Sequence, residues 1–177
     1  MTRRPADPLR RARRRVRAIV EHHFGSAPTR VLHKSSGLTN FVFEVFHPQG
    51  DFVVRVSEDP AKLAAFQKEQ WAMARAREAG VPTPDVLEVG NDAMGAYMIS
   101  LRVHGEEGTH HPARLEIARE LGALARRMHG IRTSGYGPTF DWSSNTLSKR
   151  ESWREYLHVE LRVDERIAVL ARHRMLS

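Results

Sequence analysis

The sequence predicts an α+β fold: a five-stranded antiparallel sheet with one long helix, followed by further helices. Three observations point there. Two runs rich in β-branched and aromatic residues, Phe41–Phe46 and Phe52–Val56, flank His47–Asp51, a Pro/Gly turn of hairpin length. A long helical pattern then runs from Pro60 to Ala79, and two more strand-like runs follow it. From Pro112 the apolar period turns helical again and stays so.

Val31–His33 is a third short apolar run, separated from the hairpin by the small, polar stretch Ser35–Asn40. In the strand 52–56, Phe52, Val54 and Val56 point one way, while Val53 and Arg55 point the other. A charge in so apolar a strand needs a partner or a ligand, because burying it unpaired is costly. On the helix, Asp59-Pro60 is expected at the N-cap and first helical positions, and Gly80 followed by Val-Pro closes it. Glu69 stands among Ala65, Phe66, Ala72 and Met73 at i±3 and i±4. It can pair with Arg55 across the strand–helix interface, or sit solvated at the edge of the apolar stripe.

Val86–Val89 and Ala96–Val103 read as the last two strands, with Gly90–Gly95 as their turn. His104–Gly108 is a hinge-like break. The helical pattern 112–129 carries Leu115, Ala118, Leu121, Leu124, Ala125 and Met128, and a Gly/Pro loop spans Gly130 to Pro138. Two further helical segments, about 147–157 and 159–174, carry Trp153, Tyr156, Leu157, Leu161, Ile167 and Leu170. The expected organisation is a basic helix over 1–28, a lobe over 29–104, and a hinge with the start of a helical lobe over 105–177.

The 177 residues hold 41% hydrophobic and 28% charged side chains, ordinary for a soluble globular protein. The absence of an 18-residue apolar run excludes a transmembrane helix, and no signal-peptide core opens the chain. With no cysteine there is no disulfide or thiolate metal site, and a cytoplasmic location is expected. The net charge of +7 is local. Residues 1–17 hold eight arginines against one acid, Asp7, and the remaining chain balances 20 bases with 20 acids. The excess reads as the solvated face of a first helix whose buried side is Val16, Ile19, Val20 and Phe24. Nucleic-acid binding through this arm is the rival reading, weakened by the lack of interleaved aromatics. The pairs His22-His23 and His110-His111 diverge in direction and lack the i, i+4 spacing of a helical metal site.

Taken in order, these pieces resemble the N-terminal part of an aminoglycoside phosphotransferase (APH) family kinase, whose fold is related to protein kinases and choline kinases. The resemblance rests on Ser36-Gly-Leu-Thr-Asn-Phe41 with Phe43-Glu-Val45, and on Val53-Val-Arg-Val56. It continues through Glu69 with Ala79-Gly-Val-Pro-Thr-Pro-Asp-Val-Leu87, and Tyr97-Met-Ile-Ser with Gly105. Leu121–His129 and Gly135–Pro138 complete it, over roughly residues 15–176.

The resemblance implies a nucleotide lobe binding ATP or GTP. Ser35–Asn40 becomes the loop over the nucleotide, with Ser36, Gly37, Thr39 and Asn40 near the phosphates; Gly37 lets the backbone approach. Arg55 takes the place of the third-strand lysine that grips the α- and β-phosphates, and Glu69 is its ion-pair partner. Ser100 stands at the gatekeeper position, and Leu101 and Val103 offer backbone groups to the base.

One part of the family pattern is missing. Phosphoryl transfer needs a carboxylate for the acceptor hydroxyl and ligands for Mg²⁺. The family supplies them from His-Gly-Asp-x-x-x-x-Asn and a later Asp-x-Asp or Asp-x-Gly. Here His129, His158 and His173 have no Asp two residues on. Asp141 with Asn145 is one residue too closely spaced and reads as an Asx-type turn. No catalytic residue and no metal ligand is therefore assigned, and Mg²⁺ is expected only in the complete enzyme. The expected chain is a truncated product or half of a split kinase of a small hydroxyl-bearing molecule, inactive alone. Exposed stripes on 112–129 and 147–174 predict self-association. A non-catalytic nucleotide- or protein-binding module is the other alternative.

Overall fold

The computed structural model describes residues 7–34, 40–106 and 108–132, with the isolated positions 155 and 172. Contacts divide the chain into two units, Met1–Met128 and His129–Ser177. The first unit holds α1 (Pro8–Phe24), β1 (Arg30–Lys34), β2 (Phe41–His47), β3 (Gly50–Val56), α2 (Lys62–Glu78), β4 (Val86–Asp92) and β5 (Gly95–Leu101). A short 3₁₀ turn at Gly108–His110 precedes α3 (Arg114–His129), which ends at the boundary. The strands form one five-stranded antiparallel sheet in the order β1-β2-β3-β5-β4. That is the α+β arrangement expected from the sequence. The helical segments expected at 147–157 and 159–174 lie outside the described residues.

Strand alternation divides the sheet's two faces. On one, Phe43, Val45, Phe52, Val54, Val56, Tyr97 and Ile99 pack against Ala12, Val16, Ile19 and Val20 of α1. On the other, Ala96 and Met98 meet Phe66 of α2. Helix α1 is therefore joined to the sheet by a shared core. Asp7 caps its start, its carboxylate accepting from the Leu9 N–H at 3.1 Å, and Gly25 closes it at φ 72°.

Several boundaries differ from expectation: β4 runs on to Asp92, so that the turn is shorter than Gly90–Gly95, and α3 begins at Arg114. Helix α2 begins at Lys62, because Asp59 spends its carboxylate on the Ala61 N–H (2.9 Å) and its carbonyl on the Lys62 N–H (3.1 Å). Asp59-Pro60-Ala61 is thus a turn ahead of the helix. Strand β5 ends at Leu101 and not at Val103: its ladder with β3 stops at the Phe52–Leu101 pair, although β3 itself runs on to Gly50.

The arginine-rich face is also corrected at one position. Arg15 is only 5% exposed. Its Nε donates to Asp92 (2.9 Å), its Nη1 to the Ser57 carbonyl (3.0 Å), and its Nη2 to the Gly95 (2.7 Å) and Ala96 (3.3 Å) carbonyls. One guanidinium thereby ties α1 to the end of β3 and to the β4–β5 turn. Gly95 permits this close approach: at φ 116°, a Cβ there would stand 2.4 Å from the Ser57 carbonyl oxygen.

A second clasp joins α1 to β4. Glu88 accepts from Tyr97 Oη at 2.5 Å and contacts His23 Nδ1. Burial raises the Glu88 carboxyl, but the hydrogen bonds from Tyr97 and His23 outweigh it and hold its pKa below the usual value. Burial and the same carboxylate push the Tyr97 hydroxyl up to about 12. A depressed carboxyl stabilises the fold above its unfolded value of 4.5, and that stabilisation is lost as pH falls through the lower folded value. Melting temperatures of the natural chain and Glu88→Gln are therefore expected to converge as pH is lowered from about 5 to 3.

Candidate functional site: the β3–α2 ion pair and the strand leading into the hinge

The face of the sheet under α2 carries the residues singled out from sequence. Arg55 pairs with Val42 on one side and Met98 on the other. Its side chain is 26% exposed, so it is neither buried alone nor free in water. Glu69 answers it from α2: Arg55 Nη1 contacts Glu69 Oε2, and Nη2 reaches Oε1 at 3.3 Å. The two planar groups meet as a two-pronged fork. Phe66, one helical turn before Glu69, lies under the guanidinium, 4.9 Å from ring centroid to Cζ. Of the two readings open for Glu69, the paired one holds.

Alternation puts Val53 and Ser100 on this same face, in the neighbouring row. Ser100 is buried, and its Oγ lies 3.5 Å from the Val53 carbonyl. Leu101 and Val103 are 38% and 68% exposed. The Leu101 N–H is taken by the Asp85 carbonyl at 2.8 Å. Asn40 precedes β2, and its Oδ1 is buried with no hydrogen-bond partner among the described residues. Ser36, Gly37 and Thr39 lie outside the described residues. The structure thus brings Arg55 and Glu69 together and sets Ser100 in the next row of their face, with Leu101 and Val103 following it.

A second cluster went unread in the sequence. Glu44, in the row of Val53, accepts from Lys34 Nζ at 3.2 Å and from Arg102 Nε at 3.3 Å. Arg102 Nη1 also reaches Asp51 Oδ2 at 3.3 Å, and its Cζ lies 5.6 Å from the Phe46 centroid. Burial raises the Glu44 carboxyl, yet Lys34 and Arg102 together bring its pKa below the ordinary value. The one signal for this cluster was a single acid, Glu44, between the apolar Phe43 and Val45 of β2, with Asp51 and Arg102 near the strand ends beyond.

Among known families, the model for APH, the phosphotransferase enzyme family, matches residues 31–176. The chain belongs to that family. Solved structures agree on the fold of this phosphotransferase-family chain. A thermostable mutant of aminoglycoside phosphotransferase APH(4)-Ia, in ternary complex with ADP and hygromycin B, superposes with TM-score 0.65 at 19% identity. Another mutant of that enzyme, with AMP-PNP and hygromycin B, gives 0.65 at 18%, and APH(4)-Ia itself gives 0.63 at 19%. Each comparison covers 84% of this chain and 50% of the other, so the chain spans about half the length of these structures. No curated protein matches by sequence.

Within the phosphotransferase-family chain, no helix of the described residues is long and apolar enough to cross a membrane. Nor do three His, Asp or Glu side chains gather as metal ligands among those residues.

Proposed function

We propose that this chain is the nucleotide-binding portion of a small-molecule kinase that transfers phosphate from ATP or GTP to a hydroxyl group. The Arg55–Glu69 fork carries the reading. A guanidinium held by a carboxylate and backed by Phe66 keeps a fixed direction, which suits it to grip phosphate oxygens without reorganising first. Ser36, Gly37, Thr39 and Asn40 are assigned to the loop over the phosphates, and the Asn40 oxygen, unpartnered among the described residues, supports a polar role there. Ser100 is the gatekeeper, and Leu101 and Val103 present backbone groups to the base. In this scheme 29–104 is the nucleotide lobe, 1–28 its basic helix, and 105–177 the hinge and the start of the helical lobe.

The acceptor class is a small hydroxyl-bearing molecule. The related enzyme's structures contain ADP or AMP-PNP with hygromycin B, which supports a nucleotide and such an acceptor in the whole protein. Mg²⁺ chemistry belongs to the complete enzyme, where the metal would neutralise charge on the phosphates. Neither the His-Gly-Asp-x-x-x-x-Asn pattern nor its metal-binding partner occurs in the 177 residues. The chain alone therefore binds nucleotide and does not turn over. Incubated with γ-labelled ATP, Mg²⁺ and a panel of amino sugars and simple alcohols, it is expected to label none of them. Phosphorylated product would contradict the assignment of catalysis to the missing pattern.

A further inference from the structure

Strand β5 ends at Leu101, and the residues from Arg102 to Glu106 have no regular structure. Of the two residues assigned to the base, Leu101 stands on the last rung of the β3–β5 ladder, opposite Phe52, and Val103 lies beyond it. Arg102, between them, is held twice. Its N–H donates to the Asp51 carbonyl at 2.9 Å. Its side chain, 25% exposed, reaches Glu44 and Asp51, lies over Phe46, and has Nη1 3.2 Å from His104 Nδ1.

These contacts have a directional consequence. The Leu101 C=O and the Arg102 N–H belong to one trans peptide plane and point in opposite directions. Fixing the N–H on Asp51 of β3 therefore aims the Leu101 carbonyl away from β3, past Asp85. The guanidinium then resists rotation of the next peptide, whose N–H belongs to Val103. Five donors in a planar fork let one side chain meet two carboxylates and a ring face together in a fixed direction, which an ammonium, a point charge on a flexible stem, holds less firmly. Glu44, tied also to Lys34, extends the brace to the base of the segment that follows β1.

We propose that Arg102 is a positioning residue for the purine base: braced by Glu44, Asp51 and Phe46, it orients the Leu101 carbonyl and the Val103 N–H that read the base edge. This rests on the proposed nucleotide reading. Phosphate contacts are common to all nucleoside triphosphates, so the brace should affect base preference and leave the phosphate contribution alone.

The test compares the full chain with Arg102→Ala, Arg102→Lys and the milder Asp51→Asn, titrating each with ATP, GTP and CTP and recording thermal melts. The natural chain is expected to prefer its better purine over CTP by about tenfold or more, the scale of one oriented hydrogen bond. Arg102→Ala should bring that ratio close to one with little change for CTP. Arg102→Lys and Asp51→Asn should retain part of it, and Asp51→Asn serves as the readout if Arg102→Ala does not fold. An unchanged ratio in both Arg102→Ala and Asp51→Asn would overturn the inference while leaving nucleotide binding intact. A uniform fall for all three nucleotides would overturn it too, since it would mark a loosened sheet. A natural chain that binds none of them would overturn the nucleotide reading and this inference with it.

Discussion

Replacing Arg15 with Ala is expected to lower the unfolding free energy by about 3–5 kcal/mol, the range for breaking a buried charge network. The loss has identifiable parts. The Ala96 carbonyl keeps the Ser57 N–H at 2.9 Å, but the Ser57 and Gly95 carbonyls lose the donor that Arg15 brings them. Each acceptor left unsatisfied in the interior costs about 1–3 kcal/mol. Asp92 is 35% exposed and still accepts from the Met94 N–H at 2.7 Å, so water can solvate it and its share is smaller. Arg15→Met keeps much of the packing and should remain within about 1–2 kcal/mol of the alanine variant, because polar satisfaction and not volume is what is lost. Arg14→Ala, one residue away on the exposed side, should change stability by less than about 0.5 kcal/mol. Urea unfolding of the three variants checks the contrast. Equal, small effects at positions 14 and 15 would mean that the guanidinium is not holding the turn.

That contrast also marks the limit of what the sequence discloses. Strands β2 and β3 were legible because one face of each is buried. Alternation of Phe52, Val54 and Val56 against Val53 and Arg55 is a period-2 signal with only one physical reading. The Arg55–Glu69 pair was legible as a problem, two charges each embedded in apolar surroundings, and pairing is its least costly solution. Arg15 gave no such signal. It stands in a run of arginines otherwise suited to solvent, and most of its partners are backbone carbonyls far along the chain, which carry no side-chain pattern. The Glu44–Arg102 brace was hidden for a related reason, since it depends on the register of β2, β3 and β5 together. The start of α2 was misplaced by two residues because Asp59 can serve a turn as well as a cap. Composition was informative only after the charge had been located along the chain.

Arg55→Ala is expected to weaken binding of ATP by about 1.5–3 kcal/mol, roughly tenfold to a hundredfold and somewhat beyond, as for losing a hydrogen bond to a charged group. Stability should change little. Glu69 is 38% exposed, so the carboxylate left behind is hydrated, and a partly exposed pair contributes only about 0–1 kcal/mol to folding. Affinity and stability therefore separate in this variant, which distinguishes a ligand contact from a structural brace. Glu69→Gln keeps a hydrogen-bonding partner for Arg55 and should cost less affinity than Arg55→Ala. Calorimetric titration beside a thermal melt measures both quantities on one sample. A large drop in melting temperature with unchanged affinity would reverse the assignment of Arg55.

The location of the bound nucleotide tests the account most directly. ATP titrated into ¹⁵N-labelled chain should shift the amides of Asn40, Val53–Arg55 and Ser100–Val103, with saturation, and leave the exposed arginines of α1 nearly unmoved. Shifts confined to the α1 arginines, weakening with added salt, would instead make the basic helix the polyanion site and remove Arg55 from the centre of the protein's function.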